Sequence, residues 1–345
     1  MKNGTTSPGA GAGPRTSPRS DLDARGSASK VSILIPTFNQ EEFIGICIES
    51  ALRQTYGDLE VIVSDDASTD ATGRIARQFL TDPRVRYERN PRNMGRVGNY
   101  RRLLNELAAG DWVLILDGDD CLLNPHYVAH AMEIARSASD VVLVFGKQRQ
   151  GRDSATSTVS NQDSKLPPVM DGSAFFLQHP PFFDVEPLLP TCLFQRNLAI
   201  RTGFFRHDIL SSDFESLYRL MIGHKVGFLD EIAGLWRQHD RNASLTCSYG
   251  AFRANFTALT GPYENASALA IFSPAELKLW LRKGGARYFL FCLRRLLATG
   301  RIWDALRLTG YVLTLDGGIA GHALGRLAKR ATRGLGDRAG PPAAG

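Results

Sequence analysis

Cysteine is scarce in this chain of 345 residues and follows no pattern. Cys47, Cys121, Cys192, Cys247 and Cys292 are scattered, odd in number and contain no C-x-x-C pair. That argues against a zinc ribbon or a disulfide framework and for a reducing, cytoplasmic compartment. Long apolar runs are also missing: no stretch approaches the roughly 18 residues that cross a bilayer. Residues 1–28, rich in Gly, Ser, Pro, Thr and Arg, lack the apolar segment of a secretion signal and read as a disordered tail, as do 339–345. Gly9, Gly11 and Gly13 follow no strand and precede Pro14, so they are not a nucleotide-binding loop. No internal repeat is visible, which removes the solenoid folds.

Excess charge is small, +6, but uneven. From Lys278 to Arg338 there are thirteen Lys or Arg against three acids, Asp304, Asp316 and Asp337. The rest of the composition, 43% hydrophobic and 22% charged, is that of a globular protein with a sizeable core.

From residue 31 the pattern becomes regular. Strands are expected at 31–35, 59–64, 85–89, 112–117 and 141–145, with helices at 41–54 (Glu41 and Glu42 in its first turn), 70–80, 96–109 and 125–137. This alternation predicts right-handed βαβ units on a mostly parallel sheet flanked by helices. Residues 149–168 read as a mobile polar loop. Further on, a helix at 172–178, a strand at 191–194, a helix at 212–222 and a strand at 226–229 are expected. Two or more helices follow over 273–315, with Phe289, Leu293, Leu296 and Leu297 sharing one face and Ile302, Leu306 and Leu313 another.

Three strand ends carry polar residues: Pro36-Thr37-Phe38-Asn39, Asp65-Asp66-Ala67-Ser68-Thr69-Asp70, and Asp117-Gly118-Asp119-Asp120. Asp66, Ser68 or Asp70 can each be read as a cap of the next helix. All three sets, however, fall at the carboxyl ends of strands, where open α/β sheets bind ligands. In the last set three carboxylates fall within four residues and repel one another, so a positive partner is expected among them. Mg²⁺ or Mn²⁺ with oxygen ligands suits best, and such an ion commonly carries a substrate phosphate.

VSILIPTFNQEEFI, VIVSDDASTDAT, NMGRVGNY and LILDGDD, in that order, resemble the inverting family 2 glycosyltransferases. The resemblance is strong over 31–146 and looser over 170–245. It implies the GT-A (nucleotide-diphospho-sugar transferase) fold over 29–250, with 29–146 binding the nucleotide sugar and 170–250 the acceptor. Residues 251–338 would form a basic amphipathic helical extension. It also implies a nucleotide-sugar donor, a UDP-sugar first, a divalent metal and a hydroxyl acceptor. Pro36, Thr37 and Phe38 match the segment against the base, and Asp66 the carboxylate that bonds it. Asn93 and Gly95 match the segment near base and ribose, with Asn99 a weaker match. Asp117 and Asp119 match the D-x-D pair that meets ribose and metal-bound diphosphate, with Asp120 sharing the metal.

Ser212-Asp213-Phe214-Glu215-Ser216-Leu217-Tyr218-Arg219 resembles the family's E-D-x-x-L-x-x-R helix start. Asp213 takes the position of the base that deprotonates the acceptor hydroxyl. Ser212 replaces the usual Glu, which leaves Glu215 as a second candidate. Arg237 and His239 resemble the closing R-x-H segment and are assigned to the diphosphate. The basic C-terminal helices suit peripheral docking on an anionic inner leaflet, and thereby a glycan or lipid-linked acceptor in surface polysaccharide synthesis. No nucleic-acid motif is present. The competing class is a non-catalytic nucleotide- or glycan-binding protein on the same scaffold. A nucleotidyltransferase would want a glycine-rich phosphate loop where Pro36-Thr37-Phe38-Asn39 stands.

Overall fold

The computed structural model describes residues 29–162, 164–182, 185–242 and 247–336, so the two expected tails lie outside the described residues. The first half runs β1 (Val31–Thr37), α1 (Ile44–Leu52), β2 (Leu59–Asp65), α2 (Thr72–Arg77), β3 (Val85–Arg89), α3 (Arg96–Arg102), β4 (Trp112–Ile115), β5 (Cys121–Leu122), α4 (Tyr127–Ser137) and β6 (Val141–Gly151). The second half adds β7 (Thr158–Val159), β8 (Val169–Asp171), α5 (Gly172–Gln178), β9 (Leu193–Gln195), α6 (Arg196–Arg201), α7 (Ser212–Leu220) and β10 (Lys225–Arg237). Four helices close the chain: α8 (Tyr249–Asn255), α9 (Thr257–Leu269), α10 (Pro274–Ala298) and α11 (Ile302–Gly336), the last interrupted by non-helical backbone at Asp316.

The strands form one sheet in the order β3-β2-β1-β4-β9-β6-β10-β5, with β7 on β6 and β8 on β10. Pairing is parallel across β3, β2, β1 and β4 and between β6 and β10. Every residue of β1 and β2 is buried, which their Val- and Ile-rich sequences allow only under helices on both faces. Alternate side chains enter separate cores: Leu34, Ile62 and Val113 on one face, Ile33, Ile35, Val61 and Leu114 on the other. The first core continues into the C-terminal helices. Trp280 of α10 stacks on Phe176 at 4.4 Å and donates its indole N–H to the Phe176 carbonyl at 2.7 Å.

The alternating α/β architecture agrees with the expectation, and the differences have local causes. The helix expected from 41 starts at Ile44, because Glu41 instead accepts the Ala71 N–H at 2.8 Å, tying the two loops together. The helix expected over 96–109 leaves α geometry after Arg102 and finishes as a π-helical turn, Leu103–Leu107. The polar 149–168 stretch is partly sheet, since β6 runs on to Gly151 and pairs with β7. The strand expected at 226–229 extends to Arg237 through register shifts between Leu229 and Gly234. β9, antiparallel to β4 and β6, fits between them.

Candidate active site

Parallel register fixes the site first. Val31–Thr37 pairs with Leu59–Asp65, and Val31–Leu34 with Trp112–Ile115, so the ends of β2, β1 and β4 share one edge. The backbone joins the three loops there. Asp66 donates its N–H to the Thr37 carbonyl at 2.8 Å, and Gly118 to the Pro36 carbonyl at 3.1 Å. At Gly118 a Cβ would lie 2.4 Å from the Gln40 side-chain oxygen and 2.8 Å from the Thr37 hydroxyl, so glycine alone fits between the two acids.

The two acids after β2 divide their work. Asp65 is locked by Tyr87 (2.5 Å), Arg89 (2.9 Å) and the Ser68 N–H (2.7 Å). Asp66 accepts from the Asn90 amide (2.7 Å) and the Met94 N–H (2.8 Å), which draws the 90–95 segment to the rim. Asp70 stands one residue before the N-cap of α2, Ala71, and accepts from the Thr72 N–H at 2.9 Å and the Glu41 N–H at 3.2 Å, joining the first two loops. Asn93 caps the Gly95 N–H at 2.9 Å, and Gly95 takes a φ of 79° at the start of α3. Asn99 is buried and bonds to the Ser64 hydroxyl (2.6 Å) and carbonyl (2.8 Å), which makes it a strut beneath the rim. Phe38 is exposed and Thr37 is buried.

Asp117, Asp119 and Asp120 bring one carboxylate oxygen each within 4.8 Å of one another, and no other such cluster occurs among the described residues. Asp117 accepts from the Tyr100 hydroxyl at 2.6 Å. Asp119 lies 2.8 Å from His239 Nε2. Asp120 accepts the Arg237 N–H at 2.8 Å, while its other oxygen is buried without a partner. Burial, reinforced by Asp119, pushes the Asp117 carboxyl up to about 7 and raises Asp120 as well. An orphaned carboxylate oxygen, an all-oxygen donor set and mutual repulsion fit a hard divalent cation. Arg237 and His239 both touch the cluster. Arg237 does so through its N–H and through its side chain on the Asp119 carbonyl (2.9 Å), with its guanidinium over Phe43 at 5.0 Å.

Asp213 lies half-buried in the first turn of α7; desolvation raises its carboxyl, while the Arg96 guanidinium nearby opposes the shift. It lies close enough to Asp117 and Tyr100 to raise both. Glu215, the second candidate, is fully committed elsewhere: Arg219 holds it at 2.7 and 3.0 Å and Arg206 at 3.1 Å. Ser212 is buried with its hydroxyl unpartnered.

Two residues of the NMGRVGNY segment gain a function that its sequence did not suggest. Tyr100 steadies Asp117. Arg96 donates to the carbonyls of Ile209 and Leu210 at 3.0 and 2.7 Å, pinning the approach to α7 and Asp213 onto the first half of the fold. Their position inside a motif was the available signal; their partners lie too far along the chain to be read from it. Two surface cavities of about 420 and 490 Å³, the first lined by residues such as Tyr263 and Lys278 and the second by residues such as Lys147 and Glu231, lie apart from this rim.

Residues 32–185 match the model of the family described as Glycosyl transferase family 2. Chondroitin synthase of Escherichia coli is 38% identical over 120 residues, which is 34% of this chain and 17% of that protein. The chain spans well under half the length of the curated relatives it first matches. Among solved structures, S. aureus TarS 1-349 in complex with UDP-GlcNAc superposes with a TM-score of 0.65 at 16% identity, over 84% of this chain and 82% of that one. The mannosyltransferase PcManGT of Pyrobaculum calidifontis, in complex with GDP-Man and Mn2+, gives 0.54 at 19% identity, over 90% and 81%. These likenesses establish the GT-A fold.

Proposed function

We propose that this chain, which belongs to glycosyl transferase family 2 over residues 32–185, transfers a sugar from a nucleotide-sugar donor to a glycan or lipid-linked hydroxyl with inversion. A UDP-sugar is the first donor to test, in keeping with the UDP-GlcNAc held by the TarS neighbour. The observation that carries the reading is the acidic rim: three converging carboxylates, one oxygen of them orphaned, beside the half-buried Asp213 carboxylate from a separate element.

In this reading residues 29–146 bind the donor and 170–250 the acceptor. Pro36, Thr37 and Phe38 lie along the base, Asp66 bonds it, and Asn93 and Gly95 shape the ribose side. Asp117, Asp119 and Asp120 would hold Mg²⁺ or Mn²⁺, whose chemistry is to neutralise the charge that develops on the departing diphosphate. Arg237 and His239 add positive or hydrogen-bonding groups to that oxygen shell. Asp213 takes the proton of the acceptor hydroxyl as its oxygen bonds to the anomeric carbon and the sugar–phosphate bond breaks, which inverts that carbon.

The test is a thermal-shift screen of nucleotide sugars with and without Mn²⁺, followed by product analysis. A Mn²⁺-dependent shift with a UDP-sugar, lost in Asp119→Ala, is expected. No response to any nucleotide sugar would refute the reading. Donor binding with neither transfer nor donor hydrolysis would favour the non-catalytic binding protein.

A further inference from the structure

Eleven of the seventeen exposed large apolar side chains among the described residues lie between Leu269 and Leu327. Six of them are on α11: Ile302, Trp303, Leu306, Leu313, Leu324 and Leu327, with Trp303 79% exposed and Leu324 68%. This helix is apolar on two sides. Ala305, Leu308, Val312, Ile319 and Ala323 are buried against the body of the protein. Before the break at Asp316, the exposed Ile302, Trp303, Leu306 and Leu313 follow the same three-, four- and seven-residue spacing, turned part of the way round the helix from the buried set. A second apolar stripe on an otherwise packed helix marks a contact surface.

Charge decides what it contacts. The described acids of this region are already neutralised: Asp304 pairs with Arg301 at 2.7 Å and Asp316 with Arg282 at 2.9 Å. Thirteen cations against three acids make the sequence from Lys278 to Arg338 basic by ten charges. Two copies of so basic a region would repel one another, and a neutral apolar partner would leave the excess unused. An anionic leaflet uses both features, apolar side chains inserting below the headgroups and arginines meeting phosphates, with a tryptophan at the depth that residue favours. No helix is long and apolar enough to cross a membrane among the described residues, so the contact lies in the membrane plane.

We propose that the outer face of α11, centred on Ile302, Trp303, Leu306 and Leu313, docks in-plane on an anionic lipid bilayer. The proposal draws on no residue of the acidic rim, so its failure and that of the sugar-transfer reading are separable.

The experiment is flotation of the full chain with phosphatidylcholine vesicles with and without phosphatidylglycerol, alongside tryptophan fluorescence. Trp112 and Trp280 are buried and Trp236 is half-buried in β10, so insertion of the far more exposed Trp303 should dominate any blue shift, and Trp303→Phe isolates its share. Binding to the anionic vesicles, weakened by salt, is expected. Trp303→Glu with Leu306→Glu should lower it by about tenfold or more. The donor-induced thermal shift of that variant should be unchanged, which shows that it folds. Trp303→Phe should retain binding and lose most of the fluorescence change. Failure to float with either vesicle, equal binding to both, or a solution dimer that Trp303→Glu dissolves would each overturn the proposal.

Discussion

Two groups of buried charge sit on neighbouring parts of this chain, and they are built in opposite ways. Around Glu215 the account is closed: one carboxylate, two arginines within hydrogen-bond reach, and Arg219 further donating to the carbonyls of Thr202 and Gly203. Around Asp117, Asp119 and Asp120 it is open: three carboxylates, one oxygen without a partner, and two carboxyls pushed up by burial and by each other. A fold has no reason to leave such a surplus unless something positive arrives to relieve it. Closed charge holds structure; open charge awaits a ligand.

Several measurements would break or sharpen that contrast. Asp213→Asn should have the largest effect, cutting transfer by about 10²–10⁴-fold, the usual worth of a general base, while the Mn²⁺-dependent donor shift persists. Unchanged turnover would remove Asp213 from the chemistry. Glu215→Gln should act on stability alone. It strands Arg219 in the interior at a cost of roughly 3–5 kcal/mol, seen as a lower denaturation midpoint, while donor affinity of the folded fraction is retained. If that variant instead lost catalysis with an unchanged midpoint, the assignment of base and structural acid would be reversed.

Smaller effects concern the residues that steady the rim. Tyr100→Phe removes the hydroxyl that favours ionised Asp117, so the Mn²⁺ needed for the donor shift should rise by about tenfold, in line with roughly 1.5 kcal/mol for a hydrogen bond to a charged group. The last prediction concerns pH. Asp213 must be ionised to accept a proton, and burial raises its carboxyl, so turnover should fall as pH drops through a value above the ordinary carboxylate range. Arg96 favours the ionised form. Arg96→Met should therefore move that limb upward, whereas a purely structural loss would lower the whole profile without moving it.

How much of this was legible in the chain depends on the range of each interaction. The strands ending in polar turns were visible because a fully buried strand is a run of apolar residues and its end is abrupt, as at Leu116-Asp117. The acidic loops followed from the same edge. The helix-start resemblance ranked Asp213 ahead of Glu215, but that Glu215 is spent on Arg219 and Arg206 became visible only in the fold. Asn99 sat in a matching motif, yet its amide is spent beneath the rim on Ser64. β9 is three residues long and its place in the sheet depends on distant partners, so no local pattern announces where it goes. The outward stripe on α11 was visible as a face at Ile302, Leu306 and Leu313, but not as an uncovered one.

That short strand has a consequence for assembly. Among the described residues β4 and β6 do not pair with each other; Leu193–Gln195 bridges them. A nascent chain that has emerged only as far as Gly151 therefore carries β4 with one open edge and β6 with no partner on either side, an invitation to mispairing. The two halves cannot mature in succession: the first is zipped shut by a tooth that belongs to the second. Exchanging acceptor modules between such proteins at a cut after Gly151 should yield aggregates unless the incoming piece supplies an equivalent tooth, which expression of a 29–151 fragment would reveal directly.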